Sequence, residues 1–190
     1  MSRKMLSPTT TLLPLPAVLV TCGDFDINPN IITIAWCGIV CSEPPMLSIS
    51  IRESRYSYEI IKNSGEFVLN ITSAKIVKEV DICGNNSGRD MDKFQETGLT
   101  PIPATKVKPP LIKESPVNLE CQVRRTIELG SHSMFLAEIV VTHVDEDYLD
   151  ANGRLDIRKI DPIAYCPGVR EYWSGLTIVH GNYGYSRGKK

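Results

Sequence analysis

Short runs rich in β-branched and aromatic residues follow one another along most of the chain, and this pattern constrains the fold more than any other feature. The predicted strands are residues 17–21, 31–40, 46–52, 66–71, 118–129, 133–145 and 163–165. Turn-forming pieces such as NPN, CSEPP and DANG separate them. Because closely spaced strands outnumber the helical segments, the pattern favours a mainly β fold, an antiparallel barrel, over a doubly wound parallel sheet.

Two segments between the strands predict helices. The first is expected to start after Ser54, which would cap it, and to end near Gly65. Its apolar positions are Tyr56, Ile60 and Ile61. The second is expected to start after residue 72 or 73 and to end at 83–84, with apolar residues at helical spacing.

Length and charge predict one domain and exclude two classes of partner. With 190 residues and 42% hydrophobic content, the chain suffices for one core, so a single domain is predicted over residues 1–190. The first ten residues or so and the tail GNYGYSRGKK are expected to be extended, with the tail lying on a partner subunit or fraying. A formal charge of −1 gives no reason to expect nucleic acid or an anionic membrane as partner.

The N-terminal segment resembles a signal sequence only superficially. Pro14 and Pro16 break its apolar run, which is better interpreted as the start of a strand. No stretch of 18 uninterrupted apolar residues occurs in the sequence, so a transmembrane helix is not predicted. The expected location is the cytoplasm.

The chain contains six cysteines, and most of them lie inside apolar runs. This placement favours reduced thiols over the disulfide framework of a small secreted domain. Cys37 and Cys41 form a C-x3-C pair, but no second pair of cysteines or histidines follows at zinc-finger spacing. A metal site is therefore not predicted.

The two strands that flank CSEPP each have one bulky face and one small face. In the first strand, Ile32, Ile34 and Trp36 alternate with Thr33, Ala35 and Cys37. In the second strand, Leu47, Ile49 and Ile51 alternate with Ser48, Ser50 and Arg52. The small face leaves room for a flat ligand close to the backbone, although a sheet with one solvated face has the same alternation.

The joint RESRYSY and the later segment ICGNNSGRDMDKF contain polar groups that could bind a ligand. Arg52 ends its strand just before Ser54 opens a helix, and a guanidinium beside free helix N–H groups predicts an anion site. The alternative is an exposed arginine beside an ordinary serine cap. In the later segment, Gly84 and Gly88 permit close approach of the backbone, and Lys93 offers a donor to a carbonyl or phosphate oxygen. Neither G-x4-G-K-[ST] nor G-x-G-x-x-G occurs, so a P-loop or a Rossmann site is not indicated.

Four ordered segments together resemble the flavin reductase-like, FMN-binding split-barrel family, in its flavoredoxin branch. They are NIITIAWCGIVCSEPPMLSISIRESRYSYEIIKNSGEFVLNI, CGNNSGRDMDKF, LGSHSMFLAEIV and DPIAYCPGVREYWS. The resemblance extends from about Leu15 to Tyr185. It implies a homodimer of six-stranded antiparallel split β-barrels with flanking helices, which binds FMN non-covalently near the subunit interface.

The resemblance also implies a role for individual residues. The residues expected to follow the flavin ring are Thr33, Ile34, Ala35, Trp36 and Cys37. The residues expected at the phosphate are Ser50, Arg52, Ser54 and Ser57, while Cys83, Gly84 and Lys93 would close over the cofactor. His132 would face the reactive side of the ring as the catalytic residue, and Trp173 would approach from the far end of the chain.

The implied function is that of an FMN-dependent oxidoreductase. It would take electrons from NAD(P)H or a reduced carrier protein and deliver them to free flavin, ferric iron or a partner protein. Two alternatives remain open: an FMN-binding electron carrier without a substrate of its own, and a structural barrel with an empty cleft. If Cys37 and Cys83 lie near a flavin, they are either redox relays or small buried apolar residues, and the second interpretation is favoured.

Overall fold

The computed structural model describes residues 2–177, and strands account for most of its regular structure. The strands are β1 (Leu15–Pro16), β2 (Val18–Cys22), β3 (Asn30–Ile34), β4 (Cys37–Cys41), β5 (Met46–Ile51), β6 (Glu66–Ile71), β7 (Pro101–Ile102), β8 (Leu111–Ile112), β9 (Val117–Glu128), β10 (Ser133–Val144), β11 (Ala164–Cys166) and β12 (Glu171–Trp173). The helices are α1 (Tyr56–Ser64), α2 (Val77–Asn85), α3 (Lys93–Thr97) and α4 (Ile157–Ile160), with short 3₁₀ turns at Ala74–Ile76 and Glu146–Tyr148. The predicted mainly β fold with flanking helices is confirmed. The C-terminal tail lies outside the described residues.

The largest sheet is antiparallel and has the order β3-β2-β6-β9-β10-β5-β4. Its two edge strands, β3 and β4, are consecutive in the chain and are separated only by Ala35 and Trp36. A two-residue link spans only a few ångströms, so the sheet has to curl until its edges meet. The amide of Ser50 on β5 donates to the carbonyl of Trp36 at 2.8 Å and holds the link in place.

One predicted strand is wrong at this link. Residues 31–40 were expected to form a single strand, but the amide of Cys37 donates to the carbonyl of Ala35 at 3.0 Å and turns the chain sharply. The halves on either side pair with different strands, β2 and β5. The sheet consequently has seven strands where six were expected.

The interior of the curled sheet is filled by apolar side chains and closed by α1. The buried members of this cluster are Val18, Val20, Cys22, Ile32, Ile34, Leu47, Ile49, Ile51, Tyr58, Ile61, Phe67, Leu69, Cys121, Phe135 and Ala137. Phe67 and Phe135 are fully buried, and Tyr58 packs against Phe135 with ring centroids 5.7 Å apart. The bulky faces predicted for the strands around CSEPP therefore point inward, with the exception of Trp36.

A second apolar layer covers the outer face of β2 and β3. Its buried members are Ala17, Leu19, Ile31, Ile76, Val80, Cys83, Phe94, Leu99, Ile112 and Ile163. Helix α2 lies directly over β3, where the hydroxyl of Thr33 donates to the carbonyl of Val80 at 2.5 Å. Strand β3 is thus buried on both faces along most of its length.

Helix α1 begins one residue later than predicted. Arg55 has the extended N-cap conformation, and no side chain caps the helix. The amide of Arg55 donates to the carbonyl of Arg52 at 3.0 Å, which places Ser54 at the exposed tip of a turn. Ser54 is therefore not the cap. Gly65 ends the helix as predicted, with φ of 70° and its amide bonded to the carbonyl of Ile61.

The last strands form a small sheet of their own, in the order β1-β11-β12. Leu15 pairs with Tyr165, and Tyr165 pairs with Tyr172, so this sheet joins the start of the described chain to its end. Ile163, Tyr165 and Tyr172 pack against the outer apolar layer. None of the helices in the described part of the chain is long and apolar enough to cross a membrane.

Candidate functional site

The main cleft lies at the seam where the edges of the curled sheet meet. It has a volume of about 380 Å³, within the usual range of about 300–1,000 Å³ for small-molecule sites. Five segments contribute to it: the end of β3 with the link, the β5–α1 joint, the end of α2, the β9–β10 turn and the C-terminal sheet. The lining residues that were predicted as site residues are Thr33, Ile34, Ala35, Trp36, Ser50, Arg52, Gly84 and His132.

The floor of the main cleft depends on small residues. A Cβ atom at Gly84 would lie 3.3 Å from the Cβ of Thr33, so α2 can approach β3 this closely because residue 84 has no side chain. Ala35 follows with a side chain of one carbon and leaves the backbone of the link accessible. A flat ligand can therefore lie close to backbone N–H and C=O groups.

Trp36 and Cys37 lie on the opposite faces from those that strand alternation predicts. Alternation placed Trp36 on the bulky face, but it lines the cleft, where the family resemblance placed it, and is 38% exposed. Cys37 was expected on the ligand face, but it packs against the interior cluster and does not line the main cleft. The turn at Ala35–Trp36 explains both differences, since it resets the alternation of side chains along the strand.

The ring of Trp36 lies parallel to the imidazole of His132. The ring centroids are 6.3 Å apart and the planes differ by 3°. His132 is held in the turn by its carbonyl, which accepts from the amide of Leu129 at 2.8 Å, and by Ser131, whose hydroxyl is 2.9 Å from Nδ1. Burial, together with the positive charges of Arg52 and Arg55, lowers the pKa of His132. The imidazole is therefore neutral at physiological pH.

Three arginines give the main cleft a positive potential. Arg52 and Arg55 come from the β5–α1 joint, and Arg170 comes from the C-terminal sheet. None of the three pairs with a carboxylate in the described part of the chain. Among residues 2–177, Asp81 is the one acidic residue that lines the cleft, and its carboxylate accepts from the hydroxyl of Tyr172 at 3.2 Å. The main cleft is thus suited to an anionic ligand.

A second, smaller cleft of about 260 Å³ lies at the N-terminus of α1 and shares Ile32 and Arg55 with the main cleft. Ser54, Ser57 and Lys93 line it, so the predicted phosphate residues are divided between the two clefts. The N-terminus of α1 contributes amide groups that lack an intrahelical acceptor. Arg55 is therefore the charged residue that lines both parts of the predicted phosphate site.

The wall of the smaller cleft is built around Gly88. A Cβ atom at this position would overlap the side chain amide of Asn30, and Asn30 in turn donates to the hydroxyl of Ser57 at 2.8 Å. Arg89 donates to the carbonyl of Ser54 at 3.1 Å and lies over the ring of Tyr56. These contacts join the segment after α2 to the start of α1.

Lys93 is buried and does not line the main cleft. Its ammonium group donates to the carbonyls of Ile31 and Cys83, both at 2.8 Å, and the residue is 4% exposed. Burial lowers the pKa of Lys93. An ammonium has three N–H donors, so one of them is available toward the smaller cleft.

Besides Cys37, two predicted residues line neither the main nor the smaller cleft. Cys83 is fully buried in the outer apolar layer, because the helix turns its side chain toward β3. Trp173 is 59% exposed, and its indole donates to Glu171 at 3.1 Å. On the short strand β12, side chains alternate, so Tyr172 faces the main cleft and Trp173 faces away from it.

Sequence reasoning missed several lining residues of the main cleft. They are Arg55, Asp81, Asn85, Tyr165, Arg170 and Tyr172. Arg55 lies in the same RESRYSY joint as Arg52, so the sequence offered a signal for it. Side chains alternate along EYW, so Tyr172 faces the cleft if Trp173 faces away from it. For Arg170 the sequence contains no signal, since its position depends on how the C-terminal sheet packs.

The cysteines near the site are protonated thiols. All six are free, and burial raises the pKa of Cys37 and of Cys83 from 9.0 to about 11. The thiolate is the redox-active and nucleophilic form, so at pH 8 these two side chains carry roughly a hundredfold less of it than a free cysteine. This favours the interpretation of both as small buried apolar residues.

We expect the alkylation rate of Cys37 by iodoacetamide to rise about tenfold per pH unit from pH 8 to 10 without a plateau, because the thiolate forms only as the pH approaches 11. Mass spectrometry of digested samples gives the rate for each cysteine. The same protein in urea is the control, in which all six thiols react with the profile of free cysteine. A plateau below pH 9 in the folded protein would contradict the assignment and reopen a relay role.

Comparisons with known proteins identify a family and similar folds. Residues 10–174 match the family model described as the flavin reductase like domain. The flavoredoxin of Desulfovibrio vulgaris (Miyazaki F) has 36% sequence identity and a TM-score of 0.90, with 97% of this chain and 100% of that chain covered. The flavoredoxin from Methanosarcina acetivorans has 28% identity and a TM-score of 0.89, with 98% of both chains covered.

A sequence relative of unassigned function is also similar over much of its length. An uncharacterised protein of Archaeoglobus fulgidus is 38% identical over 135 residues, which are 70% of this chain and 75% of that protein. The family match spans most of the described residues, and the two flavoredoxins are similar in fold over nearly the whole chain. The chain therefore belongs to the flavin reductase-like family, in its flavoredoxin branch.

Proposed function

We propose that the protein binds FMN non-covalently in the main cleft and the smaller cleft, and that it passes electrons from NAD(P)H or a reduced carrier to an acceptor. Membership of the family supports a flavin-binding oxidoreductase or electron-transfer role. The observation that carries the finer proposal is the seam at Ala35–Trp36, where a narrow cleft with an accessible backbone runs into a joint that bears Arg52 and Arg55.

The residues present fit FMN in shape and in charge. The small side chains of Thr33 and Ala35 and the absence of one at Gly84 leave a flat space for an aromatic ring system. Arg52, Arg55 and the N-terminus of α1 supply charge-assisted donors for a phosphate. When bound, FMN supplies hydride transfer and single-electron transfer.

The chain's own groups then have distinct tasks. Backbone groups of residues 33–36 orient the ring, and Trp36 covers it next to His132. Because its pKa is lowered, His132 remains neutral and is able both to donate and to accept a hydrogen bond at physiological pH. The buried ammonium of Lys93 places a positive charge behind β3, where it favours added negative charge in the clefts.

We expect anaerobic stopped-flow mixing of the FMN-loaded protein with NADH or NADPH to bleach the flavin absorbance within seconds. Free FMN with the same donors is the control for uncatalysed reduction. Absent bleaching with both donors would contradict the reductase and favour the second candidate, an electron carrier of the flavoredoxin type that is loaded by a partner protein. A protein that cannot be reconstituted with FMN would overturn both.

A homodimer in the cytoplasm is part of this proposal. Strand β4 is an edge of the main sheet, and its side chains Ile39 and Val40 are 69% and 49% exposed. Together with Leu12, Trp36 and Cys37 they line a third cleft of about 660 Å³ beside the link. An exposed apolar edge next to the site supports association with a second copy. Sedimentation velocity measures the mass, and a monomer at micromolar concentration would contradict the dimer.

A further inference from the structure

Arg170 enters the main cleft from the C-terminal sheet, whereas Arg52 and Arg55 enter it from the β5–α1 joint. Its guanidinium forms no ion pair with a carboxylate among residues 2–177. Asp81, the acidic residue of this cleft, is engaged by the hydroxyl of Tyr172. Arg170 is therefore a charge whose counter-ion the described chain does not supply.

The backbone at Arg170 is strained. Its φ of 59° lies in the left-handed region, and its amide donates to the carbonyl of Cys166 at 2.8 Å. A glycine adopts this conformation without a steric penalty. A residue with a Cβ adopts it only at a steric cost. Asp161 is the other such residue in the described chain, and its carboxylate has a structural task because it accepts from the amide of Gly175 at 2.7 Å. The side chain of Arg170 lines the main cleft.

The positive charge at Arg170 exceeds what the proposed cofactor requires. FMN has one phosphate, and Arg52, Arg55 and the start of α1 already provide its donors at the joint. The parallel rings of Trp36 and His132 line the same cleft as Arg170 and offer a surface for a second planar molecule. A ligand that has both an aromatic ring and an anionic group matches this pair of features.

We propose that Arg170 binds the phosphate of a second ligand, a phosphate-bearing nucleotide that exchanges electrons with the cofactor. This inference rests on the proposed function. It narrows the choice of electron partner to an anionic molecule, because the positive cleft would repel a bare ferric cation. A pyridine nucleotide as electron donor and free FMN as electron acceptor both have a phosphate and an aromatic ring. The titrations with NADP⁺ and FMN described below distinguish them.

FMN retention is measured first, by fluorescence titration, in the parent and in Arg170→Gln. Both are expected to bind FMN equally. A parent that does not retain FMN rejects the proposed function. If only the variant loses FMN affinity, Arg170 holds the cofactor and this inference is overturned.

The FMN-loaded proteins are then titrated with inorganic pyrophosphate by calorimetry. We expect Arg170→Gln to raise the Kd about tenfold or more, Arg170→Lys to raise it less, and Arg154→Gln to leave it unchanged. Arg154 is the matched control because it is an exposed arginine that lines none of the three clefts. Equal pyrophosphate affinity in the parent and in Arg170→Gln overturns the inference while the proposed function stands.

Arg170→Gly separates binding from folding. Relief of the left-handed strain is expected to raise the melting temperature by about 2–4 °C while pyrophosphate binding weakens as in Arg170→Gln. A lower melting temperature would mean that the arginine side chain holds the fold, which overturns the inference.

Titration of the loaded protein with NADP⁺ and with additional FMN identifies the ligand. A loss of about tenfold in Arg170→Gln with NADP⁺ assigns the site to the donor, and the same loss with FMN assigns it to the acceptor. Unchanged affinity for both overturns the assignment of Arg170 to an electron partner.

Discussion

Replacing both Arg52 and Arg55 by glutamine is expected to weaken FMN binding by about 3 kcal/mol or more, which corresponds to a Kd roughly a hundredfold higher. The two guanidinium groups flank the turn that leads into α1, and Arg55 lines both clefts. Arg52→Ala alone is expected to cost about 1–3 kcal/mol of binding free energy. Fluorescence titration of the apoprotein with FMN measures the Kd.

The fold is expected to survive these substitutions, because Arg52 and Arg55 are exposed and lie outside both apolar clusters. Arg154→Gln is the control for removing a positive charge elsewhere, and thermal unfolding checks stability in each variant. Unchanged FMN affinity in the double variant would mean that RESRYSY is an ordinary strand-to-helix joint. A loss that disappears at high salt would indicate long-range attraction in place of direct contact.

Glu120→Ala is expected to lower the free energy of unfolding by about 3–5 kcal/mol, although residue 120 lines neither the main nor the smaller cleft. The carboxylate on β9 is fully buried and accepts from the amides of Thr105, Lys106 and Val107 at 2.6–3.1 Å. It also lies 2.6 Å from Nε2 of His143. Its removal leaves four donors without an acceptor and releases the proline-rich loop, residues 101–110, from the sheet.

Urea unfolding gives the free energy for the parent and for each variant. Glu120→Gln keeps the shape but has only one acceptor oxygen, so an intermediate loss is expected. Glu128→Ala, an exposed residue at the end of the same strand, is the matched control and should change stability by less than about 0.5 kcal/mol. Equal stability of Glu120→Ala and the parent would show that the loop is held by other contacts.

The same carboxylate predicts a pH dependence. Burial alone would raise the pKa of Glu120, but the hydrogen bonds from His143 and from the three amides outweigh it and lower the pKa below its ordinary value of 4.5. A lowered folded-state pKa stabilises the protein above pH 4.5, and this contribution is lost as the pH falls through the folded-state value. The stability difference between the parent and Glu120→Gln should therefore shrink at acidic pH, and a constant difference would contradict the assignment.

Local patterns in the sequence were sufficient for most of the secondary structure. The predicted strand 66–71 coincides with β6, and the long pair 118–129 and 133–145 is confirmed as β9 and β10 with ends shifted by one residue. Alternation placed Leu47, Ile49 and Ile51 in the core, because each strand there has one buried face. The short strands β7, β8 and β12 were missed, since two or three residues carry no periodicity.

The same local patterns failed where the chain departs from regular geometry. The turn at Ala35–Trp36 moved Trp36 into the cleft and Cys37 against the core. Neither residue type signals such a turn, because the turn is held by the amide of Ser50 from another strand. The side chain of Lys93 likewise points inward because its ammonium group donates to two carbonyls, one on β3 and one on α2.

The sequence by itself determined the strand-rich fold class, the family and the joint that carries Arg52, because alternation, turn residues and ordered motifs are properties of neighbouring residues. Only the tertiary structure decided that the sheet curls so that its edge strands β3 and β4 lie on either side of the link, and that Arg55, Arg170 and Tyr172 lie with Arg52 at this seam. The physical reason is range. The curl of the main sheet depends on strand pairings such as that of Met46 with Glu138. The convergence at the seam depends on Arg170 and Tyr172 packing near Arg52, more than a hundred positions away in the chain. No local pattern encodes which of these distant residues will share a cleft.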